Sequence, residues 1–308
     1  MSGFGFVFPG QGSQKLGMLN DLAKQYPEIK ETFDIASEVL QRDLWEISQT
    51  DGENLLDRTD ITQPILLTAS VAIWRAWQAA GGAKPRVFAG HSLGEYSALV
   101  CAEALEFRDA VTLVNRRGLY MQNAVPVGVG KMAAIVGLDE AKILEICEEV
   151  AEGEVVSPAN FNSIGQTVIA GNSSAVERAM AACKEAGAKR ALPLNVSVPS
   201  HCDLMRPAAE ELAQDLEAIK FSPCVIPVVQ NAVAAMVSDP DTLKENLISQ
   251  LYLPVQWVES VRAISDSGVK RLIEIGPGKV LCGLIKRIDD EIVCTGSENP
   301  EDFQAAIG

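Results

Sequence analysis

Short apolar segments alternate with longer amphipathic segments along this chain, and this alternation limits the possible folds more than any other feature. Apolar runs of four or five residues are typical of buried strands, and longer segments with helical periodicity are typical of helices. Repeated strand–helix pairs predict βα units arranged on a mostly parallel sheet. The clearest pairs are 4–8 followed by a helix from about 18, 86–89 followed by 93–102, and 271–275 followed by 279–288.

The pattern changes between about residues 127 and 198. Six segments follow one another there in the order β-α-β-β-α-β, which is typical of a small ferredoxin-like subdomain. We therefore predict an α/β fold with a parallel-sheet, α/β-hydrolase-like large domain at 1–126 and 199–308, into which a ferredoxin-like subdomain is inserted at 127–198. The six segments are 131–136, 139–151, 155–159, 166–170, 174–186 and 190–196.

Composition narrows the set of partners. Hydrophobic residues make up 47% and charged residues 22% of the 308 residues, which is typical of a chain that buries a core. The formal net charge of -15 would repel nucleic acid and anionic membrane surfaces, so neither is expected as a partner. The N-terminal segment has no basic region before its apolar run, and we expect a cytoplasmic, unprocessed and monomeric protein.

The cysteines and histidines argue against a metal centre. Seven cysteines are scattered without a C-x-x-C pair, so we expect reduced and mostly buried thiols. The only histidines are His91 and His201, which are far apart in sequence. No zinc site is predicted.

The strongest local motif is Gly90-His91-Ser92-Leu93-Gly94. It follows an apolar strand and precedes a helical segment, as in a nucleophile elbow, where a sharp turn presents a serine hydroxyl to a cleft. The two glycines leave room for that turn, and the backbone N–H of Leu93 is placed to bind a developing oxyanion. This context favours Ser92 as a nucleophile over a merely structural serine.

A serine nucleophile requires a base, and the two histidines are the candidates. His91 adjoins Ser92 on a tight turn, so its ring is expected to point away from the hydroxyl. This leaves His201 as the base, in the segment 198–202 where the chain leaves the predicted subdomain.

The glycine loop after the first strand, Gly10-Gln11-Gly12, could be taken for a dinucleotide-binding motif. Lys15 stands where the third glycine of that motif should be, so the loop fails the test. Such a loop can instead supply a second backbone donor to an oxyanion hole, and Gln11 is the candidate.

Two arginines, Arg116 and Arg117, lie about one helix length beyond the elbow. Binding of a carboxylate would require a fixed guanidinium, which either could supply. Spacing alone nevertheless predicts that both are exposed surface residues.

Five motifs in one order resemble those of the bacterial malonyl-CoA:acyl carrier protein transacylases of type II fatty acid synthesis. The resemblance runs from Phe4 to about Ile288, and residues 289–308 carry nothing diagnostic. The motifs are GQGSQ at 10–14, GHSLGEY at 90–96, RG at 117–118, PSH at 199–201, and Gln250 followed by PVQW at 254–257.

The resemblance implies a catalytic role for three residues. Ser92 would be the nucleophile, and His201 the base that takes its proton. A neutral carbonyl at the position of Gln250, rather than a carboxylate, would orient the histidine and fix its tautomer.

The resemblance also implies three binding residues. Backbone N–H groups of Gln11 and Leu93 would form the oxyanion hole. Arg117 would bind the free carboxylate of the malonyl group as a bidentate pair, although related enzymes that prefer methylmalonyl share this arginine.

The implied reaction has two halves. A malonyl group would pass from malonyl-CoA to Ser92, and then to the phosphopantetheine thiol of acyl carrier protein, in ping-pong order. No permanently bound cofactor is implied, since coenzyme A is part of the substrate and leaves as a product. The carrier of this system is strongly acidic, so we expect basic residues among Lys189, Arg190, Lys286 and Arg287 to form a local docking patch, the alternative being ordinary solvated charges.

Two other functions fit parts of the sequence. A thioesterase of α/β-hydrolase type shares the elbow, but it requires an acidic residue between serine and histidine and has a different glycine loop. Many acidic residues lie between Ser92 and His201, so chain order alone leaves this alternative open. The other alternative is a non-catalytic module that binds carrier protein or coenzyme A, which the intact serine and histidine disfavour.

Overall fold

The computed structural model describes residues 3–196 and 198–307, where the chain forms two sheets with helices packed against them. The domain ranges predicted above also include residues 1, 2, 197 and 308, which lie outside the described residues. The strands are Phe4–Phe8 (β1), Val87–Gly90 (β2), Gly130–Val136 (β3), Val156–Ser163 (β4), Gln166–Asn172 (β5), Arg190–Pro193 (β6), Val228–Gln230 (β7), Ala235–Val237 (β8), Arg271–Glu274 (β9) and Val293–Gly296 (β10). The helices are Asn20–Ala23 (α1), Pro27–Leu40 (α2), Leu44–Gln49 (α3), Thr59–Ala79 (α4), Gly94–Cys101 (α5), Phe107–Ala124 (α6), Glu140–Val150 (α7), Ser173–Glu185 (α8), Arg206–Ala218 (α9), Pro240–Gln250 (α10), Trp257–Asp266 (α11), Val280–Ile288 (α12) and Pro300–Ile307 (α13), with a short 3-10 helix at Asp203–Met205.

The larger sheet has six strands in the order β10-β9-β1-β2-β7-β8. Every neighbouring pair is parallel except β7 and β8, so the predicted mostly parallel sheet is confirmed. Phe8 pairs with Gly90, which makes the loops after β1 and β2 begin side by side. Because parallel strands end at one edge, the loops after β1, β2, β7 and β9 meet there, where α/β proteins place ligands.

The smaller sheet has four antiparallel strands in the order β4-β5-β3-β6. Helices α7 and α8 pack on one face and bury an apolar cluster that includes Ile135, Ile143, Ile169 and Val176. The predicted order β-α-β-β-α-β is confirmed, although the last strand ends at Pro193 rather than 196. A bridge between Asn160 and Val255, just before α11, joins this sheet to the rest of the chain.

Apolar side chains cover both faces of the six-stranded sheet. On one face, α4 is buried along nearly its whole length, and its Trp77 packs edge-on against Phe6 at a centroid distance of 5.1 Å. On the other face, α11 and α12 bury a second cluster that includes Trp257 and Leu281. Two-sided burial explains why β1 and β2 read as continuous apolar runs rather than alternating ones.

Two cysteines differ from the prediction of reduced thiols. A disulfide joins Cys282 to Cys294, and their Cα atoms are 5.0 Å apart. Helix α12 follows β9, and β10 returns parallel beside β9, so this crossover brings the two residues together across a sequence separation of 12. The C-x-x-C criterion cannot detect a pair formed in this way, and the prediction is wrong for these two residues.

None of the helices within residues 3–196 and 198–307 is both long and apolar enough to cross a membrane.

Candidate active site

The turn between β2 and α5 has the geometry of a nucleophile elbow. Ser92 lies there with φ 51°, in the left-handed region that non-glycine residues rarely adopt. A Cβ at Gly90 would lie 1.9 Å from the carbonyl carbon of Gly94, and a Cβ at Gly94 would lie 2.0 Å from the carbonyl oxygen of Phe8. Both positions therefore require glycine, because the strand, the turn and the helix approach one another too closely for any side chain.

His201 and Gln250 complete a hydrogen-bonded chain that begins at the Ser92 hydroxyl. The distance from Ser92 Oγ to His201 Nε2 is 2.8 Å, and His201 Nδ1 lies 2.7 Å from the backbone carbonyl oxygen of Gln250. A carbonyl oxygen only accepts hydrogen bonds, so Nδ1 carries the proton and Nε2 is free to accept the serine proton. Gln250 ends α10, where backbone carbonyls lack partners within the helix.

His201 is held neutral by its surroundings. It is buried, and it has φ 62° in the segment that follows Pro199. Burial, with the nearby positive charge of Arg117, lowers the pKa of His201 from 6.5 to about 3, although the bond to Gln250 opposes the shift. A neutral imidazole at physiological pH is the form that can act as a base.

His91 points away from the serine hydroxyl, as expected. Its Nε2 lies 2.7 Å from Oδ1 of Asn162 on β4, and its ring packs against Trp257 at a centroid distance of 5.5 Å. Burial lowers the pKa of His91. The side chain therefore links the elbow to the four-stranded sheet and offers no base to Ser92.

Arg117 is buried beside the reacting groups, which overturns the prediction from spacing. It is 1% exposed, and its Nη2 donates to Ser92 Oγ at 3.3 Å and to the side-chain Oε1 of Gln250 at 3.0 Å. Its Nη1 donates to Gln63 Oε1 at 2.8 Å, and the guanidinium carbon lies 5.3 Å from the Tyr96 ring centroid. The spacing of residues in the sequence does not show that α6 directs the side chain of Arg117 toward the site.

The neighbouring Arg116 behaves as the spacing predicted. Its side chain is 53% exposed and forms an ion pair of 2.6 Å with Asp215. Successive residues on a helix point about 100° apart, so one arginine can face solvent while the next faces the site.

Arg117 forms no salt bridge in the described part of the chain. No carboxylate lies within salt-bridge distance of it in residues 3–196 and 198–307, and its buried Nε has no hydrogen-bond partner there. Burial lowers the pKa of Arg117. The nearby carboxyl of Glu95 opposes this lowering only in part, and a buried guanidinium that forms no salt bridge is suited to hold the carboxylate of a ligand.

Two backbone N–H groups near Ser92 are free to bind an oxyanion. Among the described residues, neither the N–H of Gln11 nor that of Leu93 donates a hydrogen bond. Gly10 brings the first of these loops close, because a Cβ there would lie 2.5 Å from the carbonyl oxygen of His91. The Gln11 side chain lies 3.3 Å from the Thr59 hydroxyl.

Sequence reasoning missed three buried side chains of this site. Gln63 on α4 accepts from Arg117, while Asn231 and Glu95 lie under the elbow, where Asn231 Oδ1 accepts from the N–H of Ser92 at 2.7 Å. Burial raises the pKa of Glu95 to about 7, although its hydrogen bonds oppose the shift. Asn231 is the first residue after the short strand β7, directly after Gln230, and this position at a strand end was the one sign of it in the sequence.

Potential metal ligands cluster at one place outside the site. Glu274, Cys282 and Cys294 bring their ligand atoms within 4.8 Å of one another in the described residues. The two sulfurs are joined in the disulfide, and the Glu274 carboxylate accepts from the N–H groups of Leu281 and Cys282 at the start of α12. These partners suit a helix cap, and the prediction that the protein holds no metal remains a prediction.

Replacing Arg117 with glutamine is expected to raise the pKa of His201 toward 6.5, because the positive charge that helps to lower it would be removed. Proton NMR of the imidazole rings can follow this directly, since the chain has only two histidines and a His91→Gln variant assigns them. In the wild type, His201 should stay neutral to about pH 3. A wild-type His201 that titrates near 6.5, or a pKa that does not move in Arg117→Gln, would contradict this account.

The chain is similar in sequence to known acyltransferases over nearly its whole length. The acyl transferase domain family matches residues 5–293. The malonyl CoA-acyl carrier protein transacylase of Salmonella typhimurium is 57% identical over 307 residues, covering 100% of this chain and 99% of the relative. The enzyme of the same name from Bacillus subtilis is 44% identical over 308 residues, covering 100% of this chain and 97% of the relative.

Solved structures agree with these sequence matches. A crystal structure of an acyl carrier protein S-malonyltransferase from Vibrio cholerae has a TM-score of 0.97 and 56% identity, covering 99% of both chains. A malonyl-transacylase solved in complex with its type II PKS acyl-carrier protein has a TM-score of 0.98 and 54% identity, also covering 99% of both chains. The chain therefore belongs to the acyl transferase domain family, among the malonyl CoA-acyl carrier protein transacylases.

Proposed function

We propose that this protein transfers the malonyl group of malonyl-CoA to the phosphopantetheine thiol of acyl carrier protein, through a malonyl-Ser92 intermediate, and so supplies fatty acid elongation. One observation carries the proposal: the buried guanidinium of Arg117, which forms no salt bridge among the described residues, contacts the same hydroxyl that His201 contacts. The site thus combines an activated serine with a seat for a carboxylate. A malonyl thioester presents both a carbonyl to attack and a free carboxylate to bind.

In the first half-reaction, Ser92 Oγ attacks the thioester carbonyl carbon while its proton passes to His201 Nε2. The oxygen of the tetrahedral intermediate would be bound by the N–H groups of Gln11 and Leu93, which donate to no other group among residues 3–196 and 198–307. The C–S bond then breaks, and the coenzyme A sulfur leaves with the proton from His201. Malonyl-Ser92 and free coenzyme A are the products.

In the second half-reaction, the pantetheine thiol of the carrier gives its proton to His201 Nε2 as its sulfur attacks the malonyl-Ser92 carbonyl. The C–O bond to Ser92 breaks, and the proton returns to Ser92 Oγ. The backbone carbonyl of Gln250 keeps the imidazole in the required tautomer throughout both halves. The same groups serve both directions, so the enzyme follows ping-pong kinetics.

The orientation of His201 favours transfer over the thioesterase alternative. A hydrolase triad orients its histidine with a carboxylate, whereas His201 Nδ1 faces a backbone carbonyl. The non-catalytic alternative offers no reason for a serine hydroxyl held 2.8 Å from an unprotonated ring nitrogen. A relative solved with its acyl-carrier protein further supports a carrier as the acceptor.

Intact-protein mass spectrometry tests the proposal directly. Brief mixing with malonyl-CoA should add one malonyl group to the wild type, and carrier bearing its pantetheine arm should then remove it and gain the same mass. An adduct lost to water at the same rate with and without carrier would establish the thioesterase instead. Failure to form any adduct would favour the non-catalytic module.

The carrier would dock on the basic patch predicted from the sequence, formed by Lys189, Arg190, Lys286 and Arg287. All four residues are exposed, and Arg287 Nη1 donates to Gln166 Oε1 at 2.8 Å, which links α12 to the four-stranded sheet. Arg190 begins β6 in that same sheet. Positive charge on these four exposed residues would attract an acidic carrier in an otherwise acidic protein.

Reversing two of these charges, Arg190→Glu with Arg287→Glu, is expected to slow malonyl transfer to the carrier by about tenfold or more at low ionic strength, because the encounter is electrostatically steered. Transfer to free pantetheine should be unchanged, since this small acceptor lacks the acidic protein surface. Lys84→Glu is the control, because Lys84 is also exposed but lies in the loop just before β2, outside the proposed patch. Equal transfer to carrier by both proteins would remove the patch from the proposal.

The proposal also covers the domain organisation of the protein, its location and its cofactor requirement. The strand order of the four-stranded sheet, with its two helices on one face, supports a ferredoxin-like subdomain inserted at 127–198 into an α/β-hydrolase-like large domain at 1–126 and 199–308. A cytoplasmic location fits the substrates of fatty acid synthesis. The chemistry described above needs no bound cofactor, because serine, histidine and backbone groups perform every step.

A further inference from the structure

Asn231 lies directly beneath the elbow, yet none of the roles described above involves it. It is the first residue after β7, which pairs in parallel with β2, so it lies at the same edge of the sheet as Ser92. Asn231 is fully buried. A buried amide has both donors and acceptors to satisfy, and its partners therefore indicate what it does.

The side-chain amide of Asn231 binds both sides of the elbow. Its Oδ1 accepts from the N–H of Ser92 at 2.7 Å, and its Nδ2 donates to the carbonyl oxygen of Gly90 at 2.6 Å. These two bonds fix the turn on either side of His91. They also hold Ser92 at φ 51°, a conformation that costs free energy and persists only where surrounding groups impose it.

Asn231 is itself fixed through its backbone. Its N–H donates to Glu95 Oε2 at 2.7 Å, and its carbonyl oxygen accepts from the N–H of Gln256 at 3.1 Å. The other oxygen of Glu95 accepts from Gln230 Nε2 at 3.0 Å. Since Glu95 lies on α5, the helix that the elbow opens, this network ties β2, α5 and β7 together around the serine.

We propose that Asn231 is a positioning residue for acyl transfer, which clamps the Ser92 N–H and the Gly90 carbonyl and thereby aims the Ser92 hydroxyl at His201. Because Asn231 accepts the hydrogen bond of the Ser92 N–H, the next N–H, that of Leu93, is the one available to the oxyanion. The inference rests on the proposed function, because it assigns a role in the acylation of Ser92.

The position of Asn231 determines which kinetic constant should change. Its hydrogen-bond partners among the described residues are protein groups beneath the turn, and Arg117 is not one of them. Loss of the clamp should therefore slow the attack by Ser92 while leaving the binding of malonyl-CoA nearly unchanged. Misplacing a nucleophile by about 1 Å can cost about a hundredfold in rate.

Two variants test the proposal in rapid-quench acylation by malonyl-CoA, followed by intact mass. Asn231→Ala removes both side-chain bonds, and Asn231→Asp keeps the size and the acceptor but lacks the N–H donor to Gly90. Each should slow acylation by about 10- to 100-fold. The KM for malonyl-CoA should stay within about twofold of the wild-type value. If the alanine variant fails to fold, the near-isosteric aspartate variant still decides the outcome.

Asn172→Ala is the matched control. Asn172 Oδ1 also accepts from a backbone N–H, that of Val155 at 2.8 Å, but it lies in the four-stranded sheet. Acylation within twofold of the wild type in both Asn231 variants would overturn the proposal, as would equal slowing by Asn172→Ala or a raised KM with an unchanged acylation rate. In each of these cases the wild type still forms its adduct, whereas a wild type without an adduct would refute the proposed function instead.

Discussion

Ser92→Ala is expected to abolish the malonyl adduct and to lower the rate of malonyl transfer by about a thousandfold or more. The Ser92 hydroxyl is the only group at the elbow that can form the ester. Without it, no malonyl-enzyme intermediate can form between the two half-reactions. The N–H groups of Gln11 and Leu93, with Arg117, would remain in place and bind malonyl-CoA. The substitution should therefore remove chemistry while it preserves the binding of substrate, and calorimetric titration with malonyl-CoA can measure that binding.

Ser97→Ala provides the control for this prediction. Ser97 is also buried and lies on α5, five positions after Ser92, and its hydroxyl has no hydrogen-bond partner among the described residues. Its replacement should leave adduct formation and transfer at wild-type levels. A full adduct in Ser92→Ala, located by peptide mapping at another residue, would show that the acyl group is carried elsewhere.

The elbow could be predicted from the sequence because its requirements are local. The close contacts of Gly90 and Gly94 involve a strand, a turn and a helix that are adjacent in sequence, so five residues with their flanking patterns specify the geometry. The alternation of apolar and amphipathic segments likewise predicts the strands and helices, because it follows from burial on a parallel sheet.

Groups that depend on distant contacts could not be predicted in the same way. Arg117 meets Gln63 and Gln250 across sequence separations of 54 and 133 residues, and no local pattern shows that α6 turns this side chain inward. Asn231 could not be predicted because its contacts depend on β7 lying next to β2. No single segment of the sequence specifies the order of strands in a sheet. The pairing of Cys282 with Cys294 depends on the same kind of neighbour relation.

Arg117→Ala is expected to slow the malonylation of Ser92. The activation free energy should rise by about 2 to 5 kcal/mol, the range for removing one partner of a buried charge pair. This corresponds to about 30-fold to several thousand-fold, since each tenfold change is about 1.36 kcal/mol. Arg117→Lys should recover part of the loss, because it restores the charge without the bidentate geometry. Assays at about pH 8 keep His201 neutral even if its pKa rises when the guanidinium is removed.

Acetyl-CoA distinguishes the carboxylate seat from a general supporting role. Arg117 also donates to Ser92 Oγ and Gln250, so its loss could disturb the nucleophile for any acyl group. An acetyl group has no carboxylate, so a seat for malonate predicts that malonylation falls far more than acetylation. Arg116→Ala, which removes the exposed neighbour of Arg117, should leave both rates unchanged. Equal losses for malonyl and acetyl groups in Arg117→Ala would instead assign Arg117 to the support of Ser92, and selectivity for malonate would then require another group.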